Sequence, residues 1–221
     1  MKSEKYHKNE RVHFVLLSSC TIFAIRKNES VMIIKVIFST AIALIFKPAE
    51  TWKKLRDKQK EDYEKFLSDF IYPFVGLVTI ASFIGILFTR KEFDVQIALK
   101  ASILSLISVL GGFFLASYLV NEVWRKMYHR ENNFKLCMCF VGYSSSLMYM
   151  LNILLSLLPE FFFLRFFALY IIYIVWEGAI PYMDVTEEEQ LKFVGISTAL
   201  IILTPLAIEV ALGLFMPGLR L

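Results

Sequence analysis

The chain is poor in the residues that most often carry chemistry. Its three histidines are His7, His13 and His129, and all stand outside the long apolar stretches described below. It has no G-x-S-x-G turn and no Gly-rich phosphate loop, so neither a hydrolase nucleophile elbow nor a backbone cradle for phosphate is encoded. Intramembrane proteolysis asks for an Asp pair or a Ser–His pair inside helices, whereas Asp69 and Asp94 lie at or beyond the ends of the apolar stretches. The three cysteines are Cys20, Cys137 and Cys139. Cys137-x-Cys139 has no second cysteine pair and no nearby His, which argues against zinc and leaves both thiols as small apolar packers. These absences predict no enzyme, no cofactor and no metal. No polar stretch after residue 70 is long enough for a second soluble domain.

What the chain has in abundance is apolar length. Of its 221 residues 57% are hydrophobic and 21 are Phe, against about 45–50% apolar in a soluble domain. The excess is concentrated in five nearly charge-free stretches, roughly 70–88, 101–120, 136–158, 161–180 and 193–216. A helix needs about 20 apolar residues to cross a ~30 Å hydrocarbon core. The reading is an all-α membrane protein with five transmembrane helices, preceded by a cytoplasmic amphipathic or interfacial helical segment. Three regions follow: an N-terminal extension (1–31), interfacial and amphipathic helices (32–68), and the transmembrane domain (69–218).

Charge sets the orientation. Residues 1–65 carry 14 of the 24 Lys and Arg, the 125–135 loop four more and the 182–192 loop one; the opposite ends (90–100, Arg165, Arg220) carry five. Cytoplasmic loops collect Lys and Arg. An N-terminus inside and a C-terminus outside give 19 cations inside to five outside, as five alternating crossings require.

Residues 12–25 form a short apolar run ending near a Leu-Ser-Ser-Cys string at 17–20. The run is short, contains His13, and is followed by apolar residues rather than a polar tether, which argues against signal cleavage. Met32 is a second candidate start. Residues 31–46 are apolar but reach only about 24 Å, short of a span, and suit a helix in the interface. Pro48 is placed to open a helix. Beyond it Trp52, Leu55, Gln59, Tyr63, Phe66 and Phe70 recur at spacings of three and four, with a basic half around Lys53, Lys54 and Arg56. This predicts an amphipathic helix on the cytoplasmic membrane surface, with Trp52 as an interface anchor. The cluster is short, charge-mixed and tethered to a bilayer, so no nucleic-acid partner is expected.

Within lipid, small and polar residues mark contact faces. Such faces are Ala81 and Gly85 in the first span, Ala101–Ser105–Ser108–Gly112–Ala116 in the second, and Gly142–Ser145–Tyr149–Asn152–Ser156 in the third. The last is polar enough to line a hydrated path, or to serve interhelical hydrogen bonds. Charges inside spans are functional suspects: Arg165 and Glu177 in the fourth, Glu209 in the fifth. Alternation puts Arg165 and Glu209 toward the same, outer side, where they can pair or Arg165 can snorkel. Glu177 lies near the inner end. Thr186 followed by Glu189 reads as a capping box for the fifth helix.

Three stretches carry a family resemblance: IALIFKPAETWKKL (42–55), VGYSSSLMYMLNILLSLLP (141–159) and LYIIYIVWEGAIPYMDVTEEEQLKFVGIST (169–198). They resemble bacterial members of the Yip family, membrane proteins named for binding Ypt/Rab GTPases in eukaryotes. The resemblance covers about residues 32–215. It departs after Gly142-Tyr143, where the family usually has a Pro and this chain has Leu147 and Met148. It implies a five-helix membrane domain with a cytoplasmic N-terminal segment, and a GTPase role for eukaryotic relatives alone. The matched positions are Pro48 (helix start), Trp52 (interface anchor), Gly142 and Tyr143 (close packing), and Gly178 with Pro181 (helix end). The resulting expectation is a non-enzymatic, multi-pass protein of the bacterial inner membrane. It would assemble with other membrane proteins or itself, or organise lipid. The alternative is a small channel or transporter using the polar face of the third span and Glu177.

Overall fold

A computed structural model describes residues 34–58, 63–89 and 94–215, and all regular structure among them is helical. The 12–25 run, Cys20, Met32 and Gln59 lie outside the described residues. The chain divides into a unit ending at Ser39 and a unit from Thr40 onward. Of the first, the described part is the opening of α1 (Ile34–Phe46), where Ser39 Oγ donates to Val36 O at 2.9 Å.

In the second unit, Pro48 opens α2 (Pro48–Lys58) as predicted. Pro has no N–H, but the hydrogen bonding is carried past it. Lys47 N donates to Ala43 O at 2.8 Å, and Thr51 Oγ1 donates to both Lys47 O (2.7 Å) and Ala43 O (3.1 Å).

Five helical segments are long and apolar enough to cross a membrane. The first, Leu67–Phe88, follows α3 (Tyr63–Phe66) and joins a π turn (Leu67–Ile71) to α4 (Tyr72–Thr89). The second is α5 (Val95–Met127). It starts before its apolar stretch because the Asp94 carboxylate accepts from Gln96 N (2.9 Å) and Ile97 N (3.1 Å), satisfying two first-turn donors. The third is α6 (Phe134–Ser144) and α7 (Ser146–Leu157), with the break at Ser145. There Ser145 Oγ donates to Val141 O at 2.7 Å, the back-bonding that bends helices without proline. The fourth begins as a 3₁₀ helix (Pro159–Tyr170) and continues as α8 (Ile171–Met183). The fifth is α9 (Glu187–Phe215), with three Glu in its first turn.

The predicted end of the fourth helix at Pro181 is corrected: Pro181 lies inside α8, and the helix stops at Asp184, left-handed at φ 52°. Asp184 N donates to Ile180 O (3.1 Å), the bond of an αL cap, and Val185 N donates to Ala179 O (3.2 Å). The capping box at Thr186 takes a variant form. Thr186 Oγ1 donates to the Glu189 carboxylate at 2.8 Å, while Glu189 N donates to Thr186 O at 3.1 Å.

α5 packs on α4, α6 and α9; α7 packs on α4; α8 packs on α2, α6 and α9. The third span is the innermost, 56% buried against 17% for the fifth. Lipid offers no hydrophobic drive to bring helices together, so contact depends on close backbone approach. A Cβ on Gly85 would overlap Ser156 O, and one on Gly112 would lie 2.7 Å from Pro205 Cα. At the second crossing the Thr204 hydroxyl shares its proton between Leu200 O in its own helix (2.8 Å) and Gly112 O on α5 (3.1 Å).

Candidate functional site

The motif residues gather at the α2 end of the bundle. Trp52 is fully buried. Its indole N–H donates to Ile174 O at 2.9 Å. Its ring centroid lies 4.9 Å from Tyr182, 5.2 Å from Phe140 and 6.2 Å, edge-on, from Tyr143. Gly178 makes room for it: a Cβ there would come within 2.6 Å of the indole. Gly142 plays the same part for Phe66 and Ile71, at 2.6 and 2.8 Å. Tyr143 packs at a tilt against Phe66 (4.8 Å) and Phe70 (4.9 Å). Trp52 is thus corrected from lipid-surface anchor to core residue. The apolar face of α2 is covered by α8, and Lys53, Lys54 and Asp57 are left exposed. Arg56 fixes the arrangement by pairing with the Asp184 carboxylate and donating to Tyr182 O, while Arg130 donates to Asp184 O at 3.3 Å. The cluster is an aromatic lock that holds α2 against the spans.

A second feature occupies the other half of the bundle. There α4, α5, α7, the 3₁₀ segment and α9 line a half-open cavity of about 390 Å³. Arg165, Glu209, Asn152 and Ser156 line it, with Ser105 and Ser108 from α5. Ile86, Leu104 and Leu155 supply apolar wall. Arg165 and Glu209 thus line one cavity, and no ion pair joins them. Ser108 Oγ is buried with no hydrogen-bond partner. A smaller void of about 20 Å³ adjoins it, sharing Val109, Asn152 and Pro205 and adding Ser145 and Tyr149. The Tyr149 hydroxyl is buried without a hydrogen bond. The polar stripe of the third span thus faces these two voids.

Glu177 is not part of that stripe. It sits half-buried on α8 beside Tyr173 and lines neither void. Tyr143, Asn152 and Glu177 occupy three separate environments. Cys137 and Cys139 are free and buried. No group of three or more His, Cys, Asp or Glu able to hold a metal occurs among the described residues. Sequence reasoning missed that Ser82 and Ser105 join the cavity wall; the Ala101–Ser105–Ser108 face of the second span carried the signal, read only as a packing face.

The Yip1 domain family model matches residues 42–208. The match takes in the α2 lock, the break at Ser145 and most of the cavity. No curated protein and no solved structure matches the chain.

Proposed function

Because the chain belongs to the Yip1 domain family, we propose that this multi-pass membrane protein is non-enzymatic and acts by assembling with other membrane proteins or by organising lipid. The observation that carries this reading is the docked α2. A helix held by a buried Trp, an ion pair and a glycine notch presents Lys53, Lys54 and Asp57 outward at a fixed place on the bundle. A pre-organised charged face loses little freedom on meeting a partner. The charge asymmetry supports a bacterial inner-membrane setting with α2 on the cytoplasmic side and the C-terminus outside. The test is cross-linking and co-purification from native membranes. Lys53→Glu with Lys54→Glu is expected to strip partners while the helical content and elution volume stay as in wild type. Undiminished partner recovery in that variant overturns the role of α2.

The cavity favours a second reading, a small channel or transporter. Its path would run past Asn152, Arg165 and Glu209 rather than Glu177. Flux in liposomes that falls with Asn152→Leu and is indifferent to Glu177→Gln supports it, and absence of flux from wild-type protein removes it.

A further inference from the structure

The cavity between α4, α5, α7 and α9 has a composition that apolar packing does not explain. One cation, the exposed Arg165, and one anion, the half-buried Glu209, line it, and the two are not within ion-pair distance of each other. Neither has an ionic partner among the described residues. Charges at membrane depth are costly unless paired or hydrated. Here the space between the charges is kept open rather than closed by a direct bridge. Asn152 adds an amide that can both donate and accept. The buried, unpartnered Ser108 hydroxyl adds a donor without a protein acceptor; serines in such helices ordinarily bond back to their own carbonyls. At about 390 Å³ the volume falls in the range of about 300–1,000 Å³ typical of ligand clefts. Ile86 and Leu155 supply apolar wall beside the charges.

An occupant satisfying all of these groups must carry a phosphate-like anion for Arg165, a hydrogen-bonding cation for Glu209, and an apolar body. We propose that the cavity binds a phospholipid with a zwitterionic, primary-amine headgroup. Its phosphate lies on the Arg165 and Ser108 side, its ammonium on Glu209, and its chains run along the apolar wall. Arg presents a planar fork that suits phosphate oxygens, and a primary ammonium offers three N–H donors where a trimethylated one offers none. The site specifies the lipid-organising half of the proposed function and rests on it.

The test uses the full chain in detergent micelles, supplied in turn with phosphatidylethanolamine, phosphatidylglycerol and phosphatidylcholine. Retained lipid is read by native mass spectrometry. Wild type is expected to retain phosphatidylethanolamine about tenfold over either of the others, the factor that one charge-assisted hydrogen bond supplies. Glu209→Gln is expected to abolish that preference while phosphatidylglycerol is still held, and Arg165→Gln to release all three. Equal retention of the three lipids by wild type, or an unchanged preference in Glu209→Gln, overturns the proposal. The wild-type comparison stands even if a variant fails to fold. Soluble glycerophosphoethanolamine is expected not to displace the lipid; displacement at matched concentration assigns the site to a soluble zwitterion and overturns the lipid. A protein that retains no lipid but still recovers its partners loses this site alone, not its assembly role.

Discussion

Replacing Gly178 by Ala tests the aromatic lock at a single methyl group. The added carbon would lie 2.6 Å from Trp52 Cε2 and 2.8 Å from Nε1, nearer than real Cβ contacts come. The ring cannot retreat, because Phe140, Tyr143 and Tyr182 surround it and its N–H is held by Ile174 O. Overpacking of this kind costs about 1–3 kcal/mol. Trp52→Ala removes a fully buried indole and is expected to cost about 3–5 kcal/mol. The informative quantity is the double variant. With the ring gone the methyl group meets open space, and Ala favours helix over Gly by about 1 kcal/mol. Gly178→Ala should then be neutral or mildly stabilising. The expected coupling is about 1–3 kcal/mol, of the size seen for residues in direct contact. Unfolding in mixed micelles, titrated with SDS and followed by circular dichroism, measures all four corners of the cycle. If Trp52 instead lay in headgroups, the Gly178 effect would be the same with or without it. Additive effects within ~0.5 kcal/mol would therefore refute the lock.

Other outcomes follow from the same contacts. Gly85→Leu places a side chain where Ser156 O already occupies the Cβ position, so α4 and α7 must separate; loss of a monodisperse elution peak is expected, and an unchanged peak contradicts the crossing. Thr204→Val removes a hydroxyl shared between Leu200 O and Gly112 O and should cost about 0.6 kcal/mol, at most ~1.7, in the same SDS titration. Asp184→Asn discharges the partner of Arg56, a pair partly open to solvent. Its stability cost should stay within about 1 kcal/mol, while amide exchange across residues 48–58 accelerates more than exchange in α5.

The spans were readable because hydrocarbon demands length and apolarity together, a requirement that few other helices meet. Pro48 and Thr186 were readable because helix ends need particular residues. Arg165 and Glu209 could be placed at one end from alternation alone. The docking of α2 was not readable. Periodicity at Trp52, Leu55 and Phe66 shows that a face is covered, and a lipid surface and a protein surface ask for the same residues. Only Gly178, more than a hundred positions away, hinted that a large ring needed room. The break at Ser145 escaped for a related reason: a serine that bends a helix is spelled like one that bonds within it. Glu177 is legible as a charge within a span, but that says nothing about which side of the helix it occupies, and it lines neither void.

Topology offers the most direct test of the five-span account. Single cysteines at Ser3 and at Leu221, in a background with Cys20, Cys137 and Cys139 replaced, are labelled in sealed cells with a membrane-impermeant maleimide. The account predicts labelling of the C-terminal site in intact cells and of the N-terminal site only after permeabilisation. Labelling of both sites from the same side would mean an even number of crossings and would contradict it.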